Sequence, residues 1–224
     1  MIGSIPEPFL LFLLVLLSAT IGSFLNVVIS RVPQSISIFS PASHCPKCME
    51  KISPWDNIPI LSYIYLRGQC RQCNEKISFR YLLVEILAVI LTLLIYRVYG
   101  QSSAFLLFTG LAYLLISITF IDIDHFIIPN GFIVLGLVAL LPALTRGWLP
   151  MHWEDGLNGS LCFAGFLFAM GVIGQFILKK ESIGFGDVKL GLVLGGFLGL
   201  ELSVLALYLS FMSAAAIVIF MLIR

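Results

Sequence analysis

Asp122 and Asp124, in IDIDHFIIPN (121–130), and Asp187, in IGFGD (183–187), are aspartates set directly against long apolar runs. A charge at the centre of a membrane helix costs about 2.5–3.5 kcal/mol on insertion scales. Acids in such surroundings therefore call for a chemical explanation. Two carboxylates brought close together cannot both ionise, and they share a proton. The ionised member can take a proton from water as that water attacks an amide carbonyl. The protonated member can donate to the carbonyl oxygen or to the leaving nitrogen. This is aspartyl-protease chemistry, and it needs neither a metal nor a covalent intermediate.

Which acids form the pair is open from local pattern alone. Residues two apart on a helix differ in direction by about 200°, so Asp122 and Asp124 cannot face the same partner. Pro129 restrains the residue before it. The expected local structure is a helix ending within 122–125, a short turn, and a new helix starting at Pro129 or Asn130. Either acid could be a solvated turn residue. Asp187 precedes an apolar helix, where Gly184 and Gly186 permit close backbone approach, and an aspartate there could equally be a helix N-cap. His125 reads as a polar interfacial residue, His44 belongs to a polar insert, and His152 lies on the opposite face. No G-x-S-x-G or H-E-x-x-H sequence occurs. Glu85, five residues after Arg80, is expected either to pair with a border cation such as Arg80 or to line a site.

A second constellation is sulfur-based. Cys45-Pro-Lys-Cys48 and Cys70-Arg-Gln-Cys73 are two C-x2-C pairs separated by 21 residues. That pattern suits a tetrahedral metal, above all structural zinc, with each pair forming a knuckle that supplies two thiolates. CPKCMEKIS (45–53) and CRQCNEKIS (70–78) repeat at a period of 25 residues, as two similar half-sites would. The alternatives are two disulfides or a redox CxxC, and a cytoplasmic location argues against stable disulfides. The surrounding segment is too small to build much core, so a metal would supply folding energy directly. Cys162, inside an apolar span, reads as a packing residue.

The elements that must position these groups are membrane helices. The chain of 224 residues is 59% hydrophobic and 11% charged, against about 25% charged for ordinary soluble domains. Candidate spans are 7–29, 82–99, 103–121, 126–145, 157–178 and a long block, 188–223, which is expected to hold two helices meeting near Glu201. The expected fold is therefore an all-α polytopic membrane protein with about seven transmembrane helices and a small zinc-ribbon-like cytoplasmic insert. Its expected domains are a first helix (1–29), a tetracysteine module (30–81) and a membrane domain (82–224). The first block lacks a basic leader region and a cleavage site, and it reads as a retained helix. With the N-terminus outside, eleven of the thirteen Lys and Arg fall on the cytoplasmic side and only Arg97 and Arg146 outside. That split favours this orientation and places 121–126 and 179–187 at one face.

Several stretches together resemble a known family. They are GSFLNVVISRVP (22–33), SHCPKC (43–48), DNIPILSYIYLRGQCRQC (56–73), RYLLVE (80–85), IDIDHFIIPN (121–130) and IGFGDVKL (183–190). In this combination and order, spanning about residues 20 to 200, the sequence resembles the bacterial type IV prepilin peptidases, or leader peptidase/N-methyltransferases. The resemblance implies an inner-membrane aspartyl protease of the GxGD type. Such an enzyme removes a short basic leader after glycine from type IV prepilins or type II secretion pseudopilins. Many members then methylate the new N-terminal residue with S-adenosylmethionine. The first catalytic aspartate in related peptidases stands seven residues before the proline of an Ile-Pro pair. The resemblance thus carries the catalytic pair to Asp122 and Asp187, with Asp124 left as an acid that could bind the basic leader. It also implies that the cysteine insert helps methylation, without naming residues for the methyl-donor site. Many members continue past the last span with a Pro-Phe-Gly-Pro-Phe-like segment and an eighth helix, whereas this sequence ends at Arg224.

Expected partners are prepilin or pseudopilin substrates and membrane lipid, with no nucleic acid; homo-oligomerisation is left open. Two rival classes remain at this point. A proton- or cation-coupled transporter could use the same intramembrane acids, although no inverted repeat is visible. A non-catalytic scaffold of a pilus or secretion assembly could use the cysteine module for docking.

Overall fold

The computed structural model describes residues 6–149, 151–179 and 183–223. Lys180 and Arg224, both counted in the charge split, lie outside these residues. The described chain forms α1 (Glu7–Arg31), a 3-10 turn (Pro54–Asn57), a short α2 (Leu61–Tyr65), α3 (Phe79–Tyr99), α4 (Ser103–His125), α5 (Asn130–Thr145), α6 (Trp153–Leu178) and α7 (Phe185–Ile223). The all-helical expectation holds. Five of these helices, α1, α3, α4, α6 and α7, are long and apolar enough to cross a membrane. Helix α5 has 16 residues, about 24 Å at 1.5 Å per residue, against a hydrocarbon core of about 30 Å.

The helix ends follow from local chemistry. Ser78 and Ser102 cap α3 and α4, each side chain accepting a backbone N–H, from Arg80 and Phe105 respectively. Glu7 in the first turn and Arg31 in the last turn of α1 oppose its dipole. Helix α7 is interrupted at Gly199, whose φ of 73° and ψ of 179° are not helical. Glycine occupies that region without steric cost, so the break expected near Glu201 falls two residues earlier.

The helices pack as two units, Met1–Ile127 and Ile128–Arg224. In the first, α1 lies against α3 and α4, with Ile29, Val84, Ala88 and Ile121 wholly buried. Gly22 makes the α1–α3 approach possible, because a Cβ there would stand 2.8 Å from Glu85 Cα and 3.1 Å from Ala88 Cβ. In the second, α6 and α7 pack backbone to backbone at Gly159 and Gly195, a small-residue contact suited to membrane helices. The Ser160 hydroxyl donates to the Leu192 carbonyl across it at 2.8 Å. Large apolar side chains such as Leu106, Leu141 and Phe176 remain exposed on the helix faces, the surface that a bilayer covers.

Candidate active site and cysteine centre

Helix α4 carries IDIDH in its last turn, and Phe126 closes it in the left-handed region, donating its N–H to the Asp122 carbonyl at 2.8 Å. Asp122, Asp124 and His125 are all exposed there. The two acids have different company. Asp124 forms an ion pair with Arg80, from the first turn of α3. Its carboxylate therefore ties two helices of the same unit. Among the described residues, Asp122 enters no ion pair.

In the second unit, Asp187 stands in the first turn of α7, its N–H donating to the Gly184 carbonyl at 3.0 Å. It lies inside the helix and is not its N-cap. The carboxylate folds back, so that a Cβ on Gly184 would meet Asp187 Oδ2 at 3.2 Å. A Cβ on Gly186 would stand 3.1 Å from Ile128 Cβ. Each glycine of IGFGD thus has its own reason: one makes room for the aspartate, the other for the isoleucine of the Ile-Pro pair. Lys189 then donates to Asn130 Oδ1 at 2.9 Å, joining the start of α7 to the start of α5.

Glu85, expected either to pair with a border cation such as Arg80 or to line a site, enters no ion pair among the described residues. Residues five apart on a helix point about 140° away from each other, and Arg80 is held by Asp124. Glu85 instead accepts the Ile60 N–H at 2.7 Å, which fixes Ile60 at φ 65° before α2. On the same side of α1, Asn26 donates to the Tyr81 carbonyl at 3.0 Å. The segments GSFLN, DNIPILSY and RYLLVE therefore converge on one buried polar cluster. Sequence reasoning missed this cluster, although each segment places a polar residue beside an apolar run.

The four cysteines come together as the spacing predicts. The sulfurs of Cys45, Cys48, Cys70 and Cys73 all lie within 4.8 Å of one another, and those of Cys45 and Cys73 are 3.8 Å apart. A regular tetrahedron with metal–sulfur bonds of about 2.3 Å has edges of about 3.8 Å, so the tetrad could hold a metal ion. The sequence repeat is also a structural one. Bridges join His44 to Lys51 and Gln69 to Lys76. Cys45 and Cys70 donate their N–H to Glu50 and Glu75, and Met49 and Asn74 both adopt positive φ. Each of these pairs is offset by the same 25 residues as the cysteines. The backbone N–H groups of Cys48 and Lys47 draw the Cys45 thiol down to about 6. At Cys73 the Glu75 N–H also lowers the thiol, but burial and the neighbouring sulfurs outweigh it and push it up to about 12. A divalent cation among the four would relieve that crowding and deprotonate them together.

Residues 16–99 match the family described as Bacterial Peptidase A24 N-terminal domain, and residues 107–219 match the Type IV leader peptidase family. The chain belongs to the type IV leader peptidase family. Among its relatives, the prepilin leader peptidase/N-methyltransferase of Myxococcus xanthus is 38% identical over 217 residues, covering 96% of this chain and 64% of the relative. The type 4 prepilin-like proteins leader peptide-processing enzyme of Escherichia coli O78:H11 is also 38% identical, covering 80% and 73%. The prepilin leader peptidase/N-methyltransferase of Neisseria gonorrhoeae is 34% identical, covering 88% and 77%. This chain thus spans somewhat less than two thirds of the Myxococcus protein and about three quarters of the other two. No solved structure matches it. As a leader peptidase family member with five long apolar helices, it is an integral membrane protein. The N-terminal family match contains the whole cysteine centre, and the peptidase match contains both IDIDH and IGFGD.

Proposed function

We propose that this protein is a prepilin leader peptidase with Asp122 and Asp187 as its catalytic pair. It removes a basic leader after glycine from prepilin or pseudopilin chains. One carboxylate takes a proton from the attacking water and later passes it to the leaving nitrogen, while the other donates its proton to the carbonyl oxygen and recovers it as the tetrahedral intermediate collapses. The observation that carries the assignment is the contrast within IDIDH: Asp124 is engaged by Arg80, whereas Asp122, at the same helix end, is exposed and enters no ion pair among the described residues. The folding of IGFGD around its aspartate supports Asp187 as the partner. The named relatives are peptidases and methyltransferases, which leaves the transporter reading without support. Asparagine replacement of Asp122 and Asp187, one at a time, abolishes leader cleavage on this account, whereas Asp124→Asn retains it.

The cysteine centre is read as structural zinc, with all four positions filled by Cys45, Cys48, Cys70 and Cys73. The new N-terminal amine is then methylated, for which bound S-adenosylmethionine supplies an electrophilic methyl group. The reading places the enzyme in the inner membrane with its N-terminus outside. The tetracysteine module (30–81) and both aspartates face the cytoplasm, between the first helix (1–29) and within the protease domain (82–224) respectively. Positive charge on the cytoplasmic segments supports that orientation.

A further inference from the structure

The segment PWDNIPILSYIYL (54–66) interrupts the polar character of the tetracysteine module. It forms the 3-10 turn and α2, and its large apolar side chains turn outward. Trp55, Leu61, Ile64 and Tyr65 are 62–79% exposed. Leu61, Ile64 and Tyr65 stand at i, i+3 and i+4, which is one face of a helix. Ser62, Tyr63 and Leu66 occupy the other face and line the space between α1, the cysteine knuckles and α3. There the Tyr63 hydroxyl donates to the Ile77 carbonyl at 3.2 Å. The module thus packs on the less apolar side of α2 and leaves the apolar side uncovered.

What covers that side follows from its depth. Ile60, the residue before α2, donates its N–H to Glu85 at 2.7 Å. Helix α3 begins at Phe79, so the Cα of Glu85 lies about 9 Å along it. Helix α1 gives an independent measure. Gly22 packs on Glu85 Cα and lies about 13 Å from the end of α1 at Arg31. Both helices are long and apolar enough to cross a membrane. The 21 residues of α3 span about 32 Å, against a hydrocarbon core of about 30 Å. The turn at Ile60 is therefore held at the membrane boundary and not above it. Helix α2 has five residues, about 7.5 Å, so its apolar face cannot climb clear of that level. The flanking residues suit lipid head groups, where tryptophan and tyrosine collect and cations extend to the surface. Arg71 lies over the Tyr65 ring, 5.8 Å from its centroid, and Arg67 follows α2 and is exposed. Asp56, the acid of the segment, is paired with Arg71.

We infer that α2 is a membrane-surface anchor. Leu61 and Ile64 enter the acyl chains of the leaflet beside the module, and Trp55 and Tyr65 lie at its head groups. The tetracysteine module is thereby moored to the bilayer at a third point besides α1 and α3. The inference holds for either orientation of the chain in the membrane.

The test uses the full chain reconstituted in phosphatidylcholine vesicles. Trp148→Phe and Trp153→Phe together leave Trp55 as the sole tryptophan. Adding Trp55→Phe and Ile64→Trp moves the reporter onto α2, where the exposure of Ile64 leaves room for the larger ring. Emission from the Ile64→Trp reporter should shift to the blue and be lost when the lipid acyl chains are brominated, and aqueous iodide should leave it unchanged. Trp55 should be quenched by lipid carrying a nitroxide on its head group. Quenching of both reporters by iodide, with no loss on either labelled lipid, would overturn the inference, because α2 would then stand in water. Protection from iodide and from both lipids would also overturn it, because a second copy of the chain would then cover the face.

Discussion

Gly22→Ala offers a quantitative test of the α1–α3 contact on which Glu85, Asn26 and the polar cluster depend. The added Cβ would lie 2.8 Å from Glu85 Cα and 3.1 Å from Ala88 Cβ. Carbon atoms prefer about 3.5–4.0 Å, so the helices must part by roughly 0.7 Å or more, and the nearer obstacle is backbone that cannot rotate away. Overpacking of this kind costs about 1–3 kcal/mol. Alanine recovers about 0.5–1 kcal/mol relative to glycine within a helix. The net effect is a loss of up to about 2.5 kcal/mol. At about 2–4 °C per kcal/mol for a chain of this size, the melting temperature should fall by up to roughly 10 °C. Gly110→Ala is the matched control, because nothing lies within 4 Å of a Cβ at that helical position. It should leave melting unchanged or raise it slightly, by the equivalent of about 0.4–1 kcal/mol. Both are read by thermal unfolding in one detergent. Gly22→Ala melting above wild type, as an unobstructed alanine would, would refute the close packing of α1 on α3.

Three further outcomes follow from the first unit. Replacing Cys45 and Cys48 together by serine should remove bound zinc, measured by metal analysis, and lower the melting temperature, since such sites supply folding energy; equal metal content would remove the zinc assignment. The Arg71 guanidinium, bonded to Asp56 at 2.5 and 2.8 Å, holds the Asp56 carboxyl below its ordinary range. A depressed folded-state value contributes stability that is complete above about pH 4, where an unfolded aspartate is ionised, and that is lost as pH falls through the folded-state value. Asp56→Asn should therefore destabilise the protein near neutral pH, and its gap from wild type in melting temperature should close on acidification; a gap constant with pH would contradict this. For Arg80 and Asp124, with side chains 25% and 34% exposed, a double-mutant cycle should give coupling of about 0.2–1 kcal/mol, and exchanging the two charges should recover part of the loss.

Much of the fold was legible because membrane helices announce themselves through apolar length, and Pro129 marks where α4 gives way to α5. The cysteine centre was legible because its repeat is written in both spacing and sequence. The pairing of charges was not. Arg80 could reach an acid on its own helix or on a neighbour, and only packing decides that Asp124, 44 residues away in sequence, takes it. The role of Glu85 was hidden for the same reason, since its partner is the backbone N–H of a turn 25 residues earlier. The function of the two glycines of IGFGD also emerged only with the contacts to Asp187 and Ile128, because a missing Cβ has meaning only beside the atom it would strike.

The central claim is that Asp122 and Asp187 together cleave the leader. It is tested most directly by incubating purified wild type, Asp122→Asn, Asp187→Asn and Asp124→Asn with a prepilin in detergent and following leader release. The account predicts no detectable cleavage by the first two variants and cleavage within a few-fold of wild type by the third. Cleavage at the wild-type rate by Asp122→Asn or Asp187→Asn would contradict it.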